Sequence, residues 1–141
     1  MDYLYPVTLE PDPDGGFVVT CPDLPEVVTQ ADDEAGALAG AEDAVAEALA
    51  SRLAHGESVP APSTAGGGPV AGPGPVMAAK AALADAMAGD GVTRADLAER
   101  LGVAADDVER LLNPRHNTPI ERLAAALRCL GRRLTVGVDA A

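Results

Sequence analysis

Along the first residues Tyr3, Tyr5, Val7 and Leu9 alternate with Leu4, Pro6 and Thr8. A period of two marks a strand with one apolar face, and Pro6 confines it to an edge or a bulge. PDPDGG at 11–16 supplies turn residues, and Phe17, Val19 and Cys21 then alternate, so a hairpin is predicted. CPDLPE turns the chain again into a short third strand around residues 27–30. After Asp32, whose carboxylate can cap a helix start, the period changes. Leu38, Ala41, Val45, Leu49 and Arg52 with Leu53 recur every three or four residues, predicting an amphipathic helix over 33–55 stopped by Gly56.

The second half keeps the helical period. Pro75 precedes a helix with Met77, Leu83 and Met87 inward, closed by Gly89 and Gly91. Thr93 caps the next, with Asp96 three residues on as a capping box, and a third covers 105–112. Thr118, Pro119 and Glu121 provide cap, first-turn proline and box acid for a fourth, whose stripe is Ile120, Leu123, Ala124 and Leu127. RRLTVGV at 132–138 alternates Leu134, Val136 and Val138 and predicts a short terminal strand, which would need a partner. Between the halves, residues 59–75 hold five Pro and five Gly, a composition that buries no face. The expected organisation is therefore a domain over 1–58, a linker over 59–75 and a second domain over 76–141.

Charge separates the same halves. Of the net −12, residues 1–75 carry thirteen acids against one arginine, while residues 76–141 carry nine acids and nine bases. Cys21 and Cys129 are too few for a disulfide framework or a metal site and read as small apolar residues in a reducing cytoplasm. No basic-then-apolar leader opens the chain and no apolar run approaches ~18 residues, so a cytoplasmic protein without membrane contact is expected. A two-metal nuclease would need acids projecting from mid-strand, yet Asp12, Asp14, Asp23 and Asp32 fall in turns. His55 and His116 lie in different halves, and no Ser or Cys has a local base. No catalytic residue, metal or cofactor is expected.

LAERLGVAADDVERLL at 97–112 carries the clearest chemistry. A helix-turn-helix needs a small residue at the helix crossing, a turn residue tolerant of positive φ and apolar residues locking the second helix. Ala98, Gly102, Val103, Val108 and Leu111 have that spacing. Ala104, Ala105, Asp106, Glu109, Arg110 and Asn113 then point toward a major groove, Arg94 heads the supporting helix, and Arg115, His116 and Asn117 meet a phosphate. Asp106 and Asp107 favour the helix dipole, and Asp106 could also accept from a cytosine amino group. The three aromatic residues, Tyr3, Tyr5 and Phe17, all precede residue 59, so the second domain has no stacking platform and duplex DNA is the better target. Arg132 and Arg133 read equally as helix-dipole partners or phosphate contacts.

GGFVVTCPDLPEVVTQADD followed by EAGALAGAEDAVAEAL, then AAKAALADAM and RADLAERLGVAADDVERLLNPRHNTPIERLAAALRCLGRRLTV, resembles the HicB antitoxin family. The resemblance implies an α+β protein: a degenerate ribonuclease H-like first domain, antiparallel sheet plus helix, joined to an all-α helix-turn-helix domain with a short terminal strand. It implies a HicA-like toxin as partner, a small basic mRNA interferase with a double-stranded-RNA-binding fold and a catalytic histidine. It also implies a homodimer or tetramer that binds operator duplex DNA and represses the toxin–antitoxin operon. Glu10, Asp12, Asp14 and Asp23 are the expected toxin-facing residues, with Glu42, Asp43 and Glu47 on the first helix as competitors. The alternative is a stand-alone helix-turn-helix regulator whose first domain binds a ligand or oligomerises.

Overall fold

The computed structural model describes residues 2–64 and 66–140, which form two compact units meeting in sequence between Gly74 and Pro75. In the first unit the expected opening strand divides at Val7. β1 (Tyr5–Pro6) pairs antiparallel with β5 (Val70–Ala71), while β2 (Thr8–Pro11), β3 (Phe17–Thr20) and β4 (Val28–Ala31) build a three-stranded antiparallel sheet in the order β2-β3-β4. Leu9 stands opposite Val19 and Val19 opposite Thr29. Between β1 and β2 the Val7 N–H donates to the Pro69 carbonyl at 3.0 Å, so the chain changes partners there. The β2–β3 turn closes with Asp12 N–H donating to Gly16 O at 2.9 Å. Only glycine suits position 16: its φ is +76°, and a Cβ would stand 2.4 Å from the Ala31 carbonyl oxygen.

α1 (Glu34–Ala54) is capped by Asp33, one residue later than the expected Asp32, whose Oδ1 accepts from the Gly36 N–H at 2.7 Å. Its buried face is Ala37, Ala41, Val45, Ala48 and Leu49. Mostly alanine, that stripe lets the helix lie close over β3, β4 and β5. Tyr5, Val19, Leu24, Val27 and Ala71 fill the space beneath it.

Several residues of the stretch expected to be a linker are instead built into this unit. The buried Tyr5 hydroxyl donates to the Pro60 carbonyl at 2.7 Å, the Ser63 N–H and hydroxyl both donate to Asp23, and β5 comes from residues 70 and 71. Arg52 reaches the Ser58 carbonyl at 3.2 Å while paired with Glu26. A Pro/Gly-rich chain cannot sustain a long ladder, but prolines keep their carbonyls. Pro60 and Pro69 are held through those acceptors by donors from elsewhere, so two paired residues suffice.

The second unit holds α2 (Pro75–Asp90), α3 (Arg94–Leu101), α4 (Ala105–Leu112) and α5 (Ile120–Cys129). Leu83, Met87, Leu97, Val108, Leu111, Leu123 and Leu127 form its core, with Ala79, Ala86 and Ala126 between them. The Thr93–Asp96 capping box forms as expected. Thr118 does not cap α5: it is 3% exposed with its hydroxyl turned into the core, and Pro119 takes the cap position. The expected terminal strand is absent among the described residues, since 132–140 adopt no regular structure. A helical unit offers that segment no sheet edge; Leu134 packs on the core while Val136 is 70% and Val138 95% exposed. The chain is α+β, and no helix among its described residues is long and apolar enough to cross a membrane.

A fragment ending at residue 74 is expected to melt cooperatively by circular dichroism, whereas one ending at residue 58, which lacks β5 and the Pro60, Ser63 and Pro69 anchors, is not. Within the full chain, Tyr5→Phe should cost about 1 kcal/mol through the Pro60 bond alone, measured by urea unfolding.

Candidate functional site

The α3–α4 pair is set by local chemistry. Gly102, at φ +68°, ends α3 with its N–H on the Ala98 and Glu99 carbonyls, a left-handed conformation that glycine adopts without strain. Ala104 has no side-chain acceptor, yet half of a capping arrangement remains: its N–H donates to Asp107 Oδ2 at 3.2 Å. Asp107 Oδ1 then receives Arg110 Nη1 at 3.1 Å. Val108, 0% exposed, and Leu111 anchor α4 to the core with Ala98, while Val103, expected to help lock the pair, is 40% exposed.

The predicted contact residues differ in how they are engaged. Ala104, Ala105, Asp106 and Asn117 are exposed at the start of α4 and in the following loop. Arg94 and Glu109 form an exposed ion pair that ties the first turn of α3 to α4. Asn113 ends α4, and its Oδ1 accepts the Arg115 N–H at 2.9 Å, shaping the turn that presents the exposed Arg115 side chain. His116 is half-buried with Nδ1 2.9 Å from Thr118 Oγ1, which turns it toward the core rather than outward. Arg132 resolves as a terminus partner, bonded to Asp90 and, at 2.8 Å, to the Leu130 carbonyl.

Sequence reading missed Lys80. Fully buried in α2, it donates to the Arg110 carbonyl at 2.9 Å, the Leu111 carbonyl at 3.2 Å and Thr118 Oγ1 at 2.7 Å. Burial pushes its ammonium below the ordinary lysine range. One signal was present: it is the single lysine in a chain with nine arginines.

The four acids expected to face a toxin do not gather. Glu10, Asp12 and Asp14 lie at the hairpin end of the sheet, where Asp12 Oδ1 accepts the Asp14 N–H. Asp23 lies beyond the opposite end of β3 and binds Ser63. The register places Ala31 opposite Phe17, so Asp32, Asp33 and Glu34 join the hairpin end, where the sequence had not placed them. Glu42, Asp43 and Glu47 are exposed along α1. Among the described residues no group of acids, histidines or cysteines has the geometry to hold a metal ion.

Residues 4–82, covering the first unit and the start of α2, match the family of HicB-like antitoxins of bacterial toxin–antitoxin systems. The chain belongs to that family. Antitoxin HicB 1 of Photorhabdus laumondii is 36% identical over 135 residues, covering 96% of this chain and 86% of the relative. Antitoxin HicB of Escherichia coli K12 is 34% identical over 94% of this chain and 96% of its own. Antitoxin HicB of Pseudomonas fluorescens is 34% identical over 99% and 95%. These HicB relatives span both units of this chain and are named for an antitoxin role rather than for a reaction.

Hydrogen bonds from Ser63 hold the Asp23 carboxyl below its ordinary 3.8, and those from Arg52 hold Glu26 below 4.5. Carboxyls with depressed folded values stabilise fully above their unfolded values, and that contribution is lost as pH falls through the folded ones. The melting temperature of the first unit should therefore drop on acidification below about pH 4.5, and less steeply in Asp23→Asn, as circular dichroism melts across pH 2–6 will show.

Proposed function

We propose that this HicB-family chain neutralises a small basic HicA-like mRNA interferase through its first unit and, as a homodimer, represses its own operon through the second. The observation that carries the reading is the division of charge between two independently packed units. A strongly anionic unit speeds encounter with a cationic RNA-binding protein and competes for the surface that RNA phosphates would occupy. Its hairpin end, with Glu10, Asp12 and Asp14 beside Asp32 and Glu34, offers a carboxylate surface to such a partner. Asp23, committed to Ser63, serves the fold instead.

The balanced second unit suits a duplex. α4 enters the major groove with Ala105, Asp106, Glu109 and Arg110 toward base edges, Arg94 and Ala104 lie at the groove margin, and Asn113, Arg115 and Asn117 approach phosphates. His116 shapes that loop from within. A single small unit binds weakly, so two reading helices spanning half-sites about 34–36 Å apart supply the rest. The exposed Val136 and Val138 give a second copy an apolar strip to cover.

If a short, Lys/Arg-rich protein is encoded beside this chain, mixing the two should stop that protein's RNA cleavage. Replacing Asp12, Asp14, Asp32 and Glu34 with their amides should slow association at low salt by about tenfold, measured by stopped flow. Unimpeded RNA cleavage in the presence of the chain would sink the neutralising role. Arg110→Ala and Arg115→Ala should each weaken binding to the upstream DNA, Arg110→Ala by about 1–3 kcal/mol with relaxed base preference if it reads a guanine.

A further inference from the structure

Charge in the second unit is unevenly placed. Residues 94–112, which form α3, its turn and α4, carry five acids and three arginines, whereas residues 113–133 carry five arginines and one glutamate. The proposed reading helix is thus the acidic part, and phosphate attraction falls to the residues C-terminal to it, beginning with the 113–117 loop. Lys80 holds that loop. Its three ammonium hydrogens meet the Arg110 and Leu111 carbonyls and the Thr118 hydroxyl, and that hydroxyl also donates to the Arg110 carbonyl at 3.2 Å. The two carbonyls belong to the last turn of α4, which lacks helical partners and forms the negative end of the helix dipole. Thr118 closes the loop on the other side. A compact tetrahedral ammonium satisfies three converging acceptors; the planar fork of a guanidinium does not, which accounts for a lysine at this one position.

An apolar side chain would fill the same space without fixing either end of the loop. We infer that Lys80 is a positioning residue for duplex binding: from inside the core it sets where the last turn of α4 and the 113–117 loop lie, and hence where Asn113, Arg115 and Asn117 meet phosphates. The inference rests on the DNA-binding role proposed for the second unit.

The test uses the full chain and a labelled duplex carrying the DNA upstream of its gene, with affinity measured across salt concentrations for Lys80→Met, Thr118→Val and Thr118→Ser. At temperatures where thermal melts show each variant folded, Lys80→Met and Thr118→Val should bind about tenfold more weakly, and the slope of log affinity against log salt should fall by about one for each phosphate no longer neutralised. Thr118→Ser, which keeps the hydroxyl, should retain affinity and slope. Wild-type affinity in both disrupted variants, or a weakening explained by the unfolded fraction at unchanged slope, overturns the positioning role. Amide hydrogen exchange separates this inference from the DNA-binding role beneath it. If the wild-type chain binds no duplex, faster exchange confined to residues 113–118 in Lys80→Met upholds the anchoring and overturns the DNA-binding role; unchanged exchange there overturns the anchoring as well.

Discussion

With three aromatic side chains in 141 residues, both units fill their interiors with aliphatic groups, and that shortage of bulk governs how the elements meet. Where a helix presents alanines at 37, 41 and 48, its backbone comes close to the sheet, and contact is made by approach rather than by interdigitation of large residues. Close approach leaves little tolerance for a missing layer. Tyr5, the one aromatic residue that is fully buried, therefore also has to carry a polar tether, its hydroxyl reaching Pro60, and its burial raises its pKa well above the ordinary tyrosine value. In the second unit the same shortage is met by leucines, and the fully buried Lys80 adds its length to that interior while its head finds oxygen.

Within these sparse cores, polar contacts fix geometry. Arg52 with Glu26, Asp23 with Ser63, and Arg132 with Asp90 each join segments distant in sequence. All three are at least partly exposed, so their worth lies in registering a strap or a terminus rather than in large stabilisation. The division of labour proposed for this HicB-family protein is consistent with that economy: an acid-rich surface open to a cationic partner, and a helical unit whose few cations are placed with care.

Much of this was legible from residue order. The hairpin, α1, and the α3–α4 pair with its Thr93–Asp96 box and Gly102 turn all arise from local rules, because turn and cap chemistry acts within three or four residues. The strap was not legible. Composition describes what residues 59–75 cannot do by themselves, while its anchors come from Tyr5, Val7 and Asp23, roughly forty to sixty residues earlier. The separation of the acids was not legible for a related reason: Asp14 and Asp23 are nine residues apart in sequence, yet β3 carries them to opposite ends of the sheet. Lys80 escaped notice because a lone lysine in an alanine-rich helix reads as a solvated residue, and only the convergence of α4 and Thr118 gives its charge a home.

The closing of that pocket around the chain's single ε-amine reaches beyond architecture. Enzymes and reagents that must reach a lysine ε-amine find none on the folded surface, since the one such group faces inward. Such chemistry would become possible only when the helical unit opens, making lysine reactivity a direct gauge of how often it does.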